Sequence, residues 1–248
     1  MESDGFNVVS PKEMINEHRE DIVIIASRQN RYILYDQLEF TAFPDERILN
    51  PRFGMVQAFC GDQYFDYLKS DTKEEIFIDA GCYDGCTAVG FSRWAQGYKR
   101  IYAWEANPYF RKQCEETFMN HNLQNVDMIP YAAWNCRDVL RFTSSAYDAG
   151  AAISNNGDIN VQSDYIDNIV NNEKITFIKM DIEGAEYNAL EGAKRTIEKN
   201  KPKLAISIYH KPEDIVELPF LILSIRPDYQ FAMRHYTSDL VESVLYAW

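Results

Sequence analysis

The stretch Ile76-Phe-Ile-Asp-Ala-Gly-Cys-Tyr-Asp-Gly-Cys-Thr87 constrains the fold more than any other part of this chain. An apolar run ends in a carboxylate, Asp79, then passes through a glycine turn into helix-forming sequence. Buried strand, tight turn and helix N-terminus together are how open α/β sheets hold nucleotide-like cofactors. The acid before the first glycine narrows the choice of ligand. A dinucleotide loop brings backbone N–H groups to a pyrophosphate, and Asp79 and Asp84 would repel that group. A cofactor carrying an ammonium and a sulfonium would be attracted, and S-adenosyl-L-methionine is such a cofactor.

The length of 248 residues suits one α/β domain with a small appendage. Residues 1–72 are expected to form an N-terminal, largely helical extension packing on the core, and 73–248 the main domain. An apolar fraction of 46%, with 14 Phe and 16 Tyr, supplies a sizeable core. A net charge of −13, with no basic run longer than two residues, argues against a nucleic-acid partner. The polar, acidic start Met1-Glu-Ser-Asp-Gly does not read as a signal peptide, and none is expected. The apolar runs Ile22–Ala26 and Leu218–Ile225 are too short to span a bilayer. A cytoplasmic protein without a membrane partner is expected. The five cysteines (Cys60, Cys82, Cys86, Cys114, Cys136) lack zinc spacing and read as small buried thiols of a reducing compartment.

Ser10-Pro11-Lys12-Glu13 has the form of a capping box with proline at the first helical position. A helix is predicted over Asp62–Lys69, with Phe65 and Leu68 inward and Tyr64 and Asp66 more exposed. From Lys73 onward strands and helices alternate. Strands are predicted at Ile76–Ala80, Ile101–Ala106, Val126–Ala132, Ile175–Met180 and Leu204–Tyr209. Helices follow to about Gln96, after Asn107-Pro108, through Ala185–Ile197 and over Ile215–Ile225. Val139–Thr143 and Ile159–Gln162 read as an inserted β-ribbon around the loop Ser144–Asp158, with a short helix near Asp164–Asn171. Tyr229–His235 and Ser243–Trp248 form a closing pair without a helix between them. Such β-α steps ending in a strand pair imply a mostly parallel seven-stranded sheet with an antiparallel strand near the edge, the Rossmann-like fold of class I methyltransferases.

Ligands of open α/β sheets sit at the carboxyl ends of the strands, near the switch point in strand order. Asp79, Glu105, Asp181 and His210 end strands one, two, four and five. For Asp79 a cofactor role competes with simple helix capping. Gly81 and Gly85 suit close backbone approach, though tight turns favour glycine whatever binds there. Glu105, 24 residues after Gly81, is placed to accept ribose hydroxyls. Asp181 can bind an amino group, hold a metal or accept a proton. Glu183 and Glu186 have helix-dipole complementarity as their competing explanation. His210 is a candidate general base, with a plain hydrogen-bonded surface histidine as the alternative. His235 is a weaker one. Asp181, Glu183 and His210 can also be drawn around one divalent cation, although no metal is assigned. Tyr131-Ala-Ala-Trp134 would lie along an adenine, with Ala133 allowing close approach, and Tyr64-Phe65 would contribute to a lid.

The string Phe77-Ile-Asp-Ala-Gly-Cys-Tyr-Asp-Gly-Cys-Thr87 and the second dense site, Phe177-Ile-Lys-Met-Asp-Ile-Glu-Gly-Ala-Glu186, resemble the FkbM family of methyltransferases. Trp104-Glu-Ala-Asn-Pro108, Ile206-Ser-Ile-Tyr-His210 and Arg234-His-Tyr236 agree with it, and the resemblance covers roughly residues 74–248. It implies an S-adenosylmethionine-dependent O-methyltransferase acting on a hydroxyl of a sugar, glycan or secondary metabolite. Asp79, Gly81 and Gly85 would then hold the methionine portion, Glu105 the ribose, and Asp181 the amino group and reactive methyl. The rivals are an NAD-dependent oxidoreductase and a non-catalytic nucleoside-binding module. The first expects G-x-G-x-x-G after strand one, where this chain has Cys82-Tyr83-Asp84.

Overall fold

A computed structural model of the chain describes residues 63–142, 159–237 and 241–248, together with Gly157 and, nearer the N-terminus, 2–3, 6–7, 10–21, 23–24, 38 and 47–49. The chain divides into two compact units, Met1–Gly61 and Asp62–Trp248. In the first, a helix spans Pro11–Glu17 and the expected capping box is present. Ser10 Oγ accepts from the Glu13 amide at 3.1 Å, and the Glu13 carboxylate accepts from the Ser10 amide at 3.4 Å. Two-residue strands pair Glu2–Ser3 with Phe6–Asn7, and Val23–Ile24 with Ile48–Leu49.

The second unit opens with β1 (Glu75–Ala80), α1 (Cys86–Trp94), β2 (Tyr98–Trp104), α2 (Pro108–Asn120) and β3 (Val126–Ile129). There follow β4 (Ala132–Ala133), β5 (Asp138–Phe142), β6 (Ile159–Asp164) and the single turn α3 (Ile166–Ile169). The remainder is β7 (Phe177–Met180), α4 (Glu186–Gly192), α5 (Lys194–Asn200), β8 (Lys203–Ser207), α6 (Asp214–Ile225), β9 (Phe231–His235) and β10 (Ser243–Ala247). Seven strands form one sheet in the order β9-β10-β8-β7-β1-β2-β3. Its five strands from β8 to β3 are parallel, and β10 runs antiparallel to both neighbours. This is the expected class I Rossmann-like arrangement. The chain leaves β1 toward β2 on one side and returns as β7 on the other, so the switch point falls between β1 and β7.

The ribbon also forms: β5 pairs antiparallel with β6, which pairs parallel with β4. Its connecting loop, 144–158, lies outside the described residues except for Gly157. Strand alternation gives the main sheet two different faces. Ile76, Ile78 and Ala80 join Ile178, Met180, Leu204 and Ile206 in an aliphatic core with residues of α4, α5 and α6. On the opposite face Phe77 stacks on Phe91 at 4.2 Å, and Phe65, Trp94 and Phe177 close an aromatic cluster around them. Asn107 caps α2 by accepting from the Tyr109 amide at 3.0 Å, and Phe110, Cys114 and Phe118 form its buried face.

Several expectations need correction. The predicted Asp62–Lys69 helix does not form; residues 63–68 are turns and bends. Tyr64 has φ +72, a left-handed conformation that interrupts a helix, and it is buried rather than exposed. Phe65 and Leu68 do point inward. The third strand stops at Ile129, because Ala132–Ala133 pairs with β6 instead. The helix after β7 is two, α4 and α5, separated at Ala193. Cys82 and Cys114 are buried in contact at 3.2 Å, but Cys86 and Cys136 are exposed, and Cys60 lies outside the described residues. Among the described residues no helix is long and apolar enough to cross a membrane.

Packing alone requires glycine at position 85. Its φ is +82, and a Cβ would stand 2.8 Å from Phe118 Cε1 and 3.2 Å from Cys114 Cα. Gly85→Ala therefore adds backbone strain to a clash with α2, and is expected to cost about 1–3 kcal/mol. Urea unfolding should show a clearly lowered midpoint; an unchanged midpoint would mean that the α1–α2 packing is looser than described.

Candidate functional site

The site begins with a charge pair dictated by strand register. β1 and β7 pair so that Asp79 lies beside Lys179, with Asp79 Oδ1 and Lys179 Nζ 3.1 Å apart and both side chains buried. Burial raises the Asp79 pKa against the pull of Lys179. Burial also works to lower that of Lys179, but Asp79 and Asp181 together hold it above the ordinary value. Lys179 is thus a buried cation shared between two carboxylates, and its Nζ donates to the Gly81 carbonyl at 2.7 Å. Asp79 does not line the cleft described below; it anchors the lysine that fixes the Gly81 turn.

Gly81 itself has φ +80, and a Cβ there would lie 1.9 Å from the Asp181 carbonyl oxygen. Glycine at 81 lets the loops after β1 and β7 touch, and that contact forms the floor of a cleft of about 280 Å³. Glu105, just past β2, borders it and accepts from the Asn107 amide at 2.8 Å and the Tyr83 amide at 3.1 Å. Burial raises its pKa although both amides oppose this. One amide bonds each carboxylate oxygen, so acceptor capacity remains on both. Small residues (Ala106, Ala132, Ala133) and aromatic ones (Tyr83, Phe110, Tyr131, Phe142) form the walls.

Asp181 stands at the opposite side. It accepts from Tyr64 Oη at 2.7 Å and Tyr209 Oη at 3.1 Å. Burial would raise its pKa, but Lys179, the Tyr64 hydrogen bond and His210 hold it below the ordinary carboxyl range. Asp181 is therefore a carboxylate at neutral pH. Glu183, Tyr209 and Glu242 also border the cleft. Burial raises the Glu242 pKa, opposed by the hydrogen bond that Gln63 donates.

Of the residues expected from sequence, Gly81, Glu105, Ala133, Asp181 and Glu183 meet at this cleft. Asp79, Gly85 and His210 do not border it. His210 sits behind Asp181 with its side chain 8% exposed, Nδ1 2.9 Å from Glu186 and Nε2 3.4 Å from Asp181. Burial works to lower its pKa, but Glu186, Asp181 and Glu183 push it up to about 9. Both ring nitrogens face carboxylates, those of Glu186, Asp181 and Glu183, and His210 does not border the cleft, so the structure does not set it against an acceptor hydroxyl. His235 is exposed on β9 and bonds Ser243 at 2.9 Å. Tyr64 lies beneath the cleft as a ligand of Asp181 and forms no lid. Sequence reasoning gave Tyr64 a different role, in a lid, and gave none to Tyr209 or Glu242. Positive φ marks two of the three, Tyr64 and Glu242, together with Tyr83 and Glu183 at the cleft, a strain that collects at functional sites.

A second cavity of about 760 Å³ lies at the amino ends of β1, β7 and β8, near Ile76, Thr176 and Lys203. It is larger, but it faces the end of the sheet away from the switch point and mixes Lys69, Lys99 and Lys174 with Glu74 and Glu173. The smaller cleft is the functional one by topology.

The profile of the methyltransferase FkbM domain matches residues 79–233. Among solved structures, a methyltransferase FkbM from Methylobacillus flagellatus shares 21% identity, covers 98% of this chain and 79% of its own, and superposes with a TM-score of 0.65. An rRNA methylase from Streptococcus thermophilus shares 16% identity over 71% of this chain and 86% of its own, at a TM-score of 0.47. Fibrillarin from Aeropyrum pernix, crystallised with S-adenosyl-L-methionine, shares 13% over 73% and 67%, at 0.46. The first shows the shared fold; the other two are too distant to bear on this chain. No curated protein matches the sequence.

Replacing Lys179 by methionine strands Asp79 without a counter-charge, and Lys179→Met should destabilise the fold by about 3–5 kcal/mol. The double substitution Asp79→Leu/Lys179→Met should recover most of that loss in thermal melts. A double variant no more stable than the single one would contradict the pairing.

Proposed function

The chain belongs to the FkbM methyltransferase family, and on that premise we propose that it moves a methyl group from S-adenosyl-L-methionine to a hydroxyl of a sugar, glycan or other secondary metabolite. The observation that carries this reading is the ionised Asp181 facing a cleft that Glu105 borders on its other side. A nicotinamide dinucleotide would bring its pyrophosphate into that acidic cleft, and the family assignment leaves no support for the oxidoreductase alternative.

The residues present fit such a cofactor. The small side chains of Ala132 and Ala133 leave room for a flat base beside the aromatic walls. Glu105 keeps lone pairs for ribose hydroxyls, and Asp181 offers a carboxylate to an ammonium group. The bound cofactor supplies a methyl group on a positively charged sulfonium, already a good leaving group. What is left to the protein is alignment of the acceptor oxygen and removal of its proton. Tyr64 and Tyr209 hold Asp181 in one orientation, and Lys179, the Tyr64 hydrogen bond and His210 keep it ionised. Of the acids bordering the cleft, Glu183 and Glu242 remain for the acceptor proton. We assign the task to Glu242, which borders the cleft with one carboxylate oxygen held by the hydrogen bond that Gln63 donates. Phe142, at the end of β5, reaches the cleft wall and is assigned a part in acceptor specificity.

Asp181→Asn keeps shape and removes charge. A charge-assisted hydrogen bond is worth about 1.5–3 kcal/mol, so calorimetric affinity for S-adenosylmethionine should drop roughly tenfold or more. NAD should bind neither protein. Unchanged affinity in the variant would remove Asp181 from the cofactor site. Failure of the wild type to methylate any acceptor in a hydroxyl panel, while binding the cofactor, would favour the non-catalytic module.

A further inference from the structure

We propose that Asp181, Glu186 and His210 form a site for one divalent transition-metal ion of the Mn²⁺ or Zn²⁺ class at the back of the cleft. One ligand atom from each lies within 4.8 Å of the others, the span available to donors at about 2.1–2.4 Å from a single ion. His210 presents Nε2 to Asp181 Oδ1 at 3.4 Å and to Glu183 Oε2 at 3.6 Å, and Nδ1 to Glu186 Oε1 at 2.9 Å. None of these contacts is aligned as a hydrogen bond, and both buried ring nitrogens lack a partner. Glu186 is fully buried; its Oε1 accepts from the Ile182 amide at 2.9 Å, while Oε2 has no donor.

Buried polar atoms are normally satisfied, so three unsatisfied ones converging on the same few ångströms call for a missing partner. The formal charges say what kind. Asp181, Glu183 and Glu186 surround one imidazole, and a proton on that ring answers a single negative charge. A divalent ion answers two, displaces the proton from one ring nitrogen to take its lone pair, and accepts another from Glu186, leaving the second ring nitrogen as N–H. An imidazole among carboxylates suits Mn²⁺ or Zn²⁺ better than Mg²⁺ or Ca²⁺, which favour oxygen-only sets. The sequence suggested Glu183 as the third ligand. The turn at Gly184 (φ +86) instead brings Glu186, the first residue of α4, to the imidazole and leaves Glu183 toward the cleft. If the proposed methyl transfer holds, an ion bound to Asp181 would border the acceptor and help its hydroxyl ionise. That consequence rests on the methyl-transfer reading; the ion site itself does not.

The test titrates the full chain, free of cofactor, with Mn²⁺ followed by electron paramagnetic resonance and with Zn²⁺ against a competing chelating dye. Wild-type protein should show one saturable site and a spin-echo modulation from a coordinated imidazole nitrogen. Glu186→Gln and His210→Gln, checked for native circular dichroism, should each weaken binding by at least about tenfold. His210→Gln should also abolish the modulation. Absence of saturable binding, or binding without the nitrogen signal, would overturn the site, and the wild-type spectrum decides even if a variant misfolds. S-adenosylmethionine is titrated in parallel with EDTA present. Cofactor binding without metal binding sinks this inference alone, and metal binding without cofactor binding sinks the methyl-transfer reading alone.

Discussion

The buried contact between Asp79 and Lys179 is the interaction on which the rest of the structure depends. It lies on the shared edge of β1 and β7, where parallel register places acid beside base. Neither charge reaches water, so each is tolerable only with the other present. The same ammonium binds the Gly81 carbonyl and acts on Asp181. One buried cation thereby locks two strands, shapes the turn between sheet and cleft, and keeps the cleft carboxylate ionised. Fold stability and site charge are set by the same atom.

Around that anchor the backbone is strained. Tyr64, Tyr83, Glu183 and Glu242 occupy left-handed conformations that cost non-glycine residues of order 1–3 kcal/mol each. Each has a compensating contact: Tyr64 donates to Asp181, the Tyr83 amide bonds Glu105, Glu242 accepts from Gln63, and Glu183 lies 3.6 Å from His210 Nε2. These residues give the cleft its polar groups in fixed orientations, which is what alignment of two reactants requires.

Much of the main domain was legible in the sequence because its signals are local. Apolar runs marked the strands, Asn107-Pro108 and Ser10-Pro11 marked helix starts, and glycine at 81 and 85 marked the turn after β1. Glu105 and Asp181 were found because strand-end acids sit where open sheets bind ligands. What escaped depends on contacts across long sequence separations. Tyr64 looked helical because its neighbours have helical spacing, yet its place is set by Asp181, 117 residues away. Glu242 follows no local motif. His210 looked like a base from its place at a strand end, but the fold sets its ring against Glu186, Asp181 and Glu183 and off the cleft wall. Lys179 read as an ordinary strand residue, and its partner became visible only through the register.

The central claim is that the acidic cleft at the carboxyl ends of β1, β2 and β7 is where the methyl donor binds. A crystal structure with S-adenosylhomocysteine tests it most directly. The account predicts the adenosine along Ala132 and Ala133, its ribose hydroxyls on Glu105 and its amino group toward Asp181. Density in the lysine-bearing cavity at the amino ends of the strands, with the acidic cleft vacant, would contradict it.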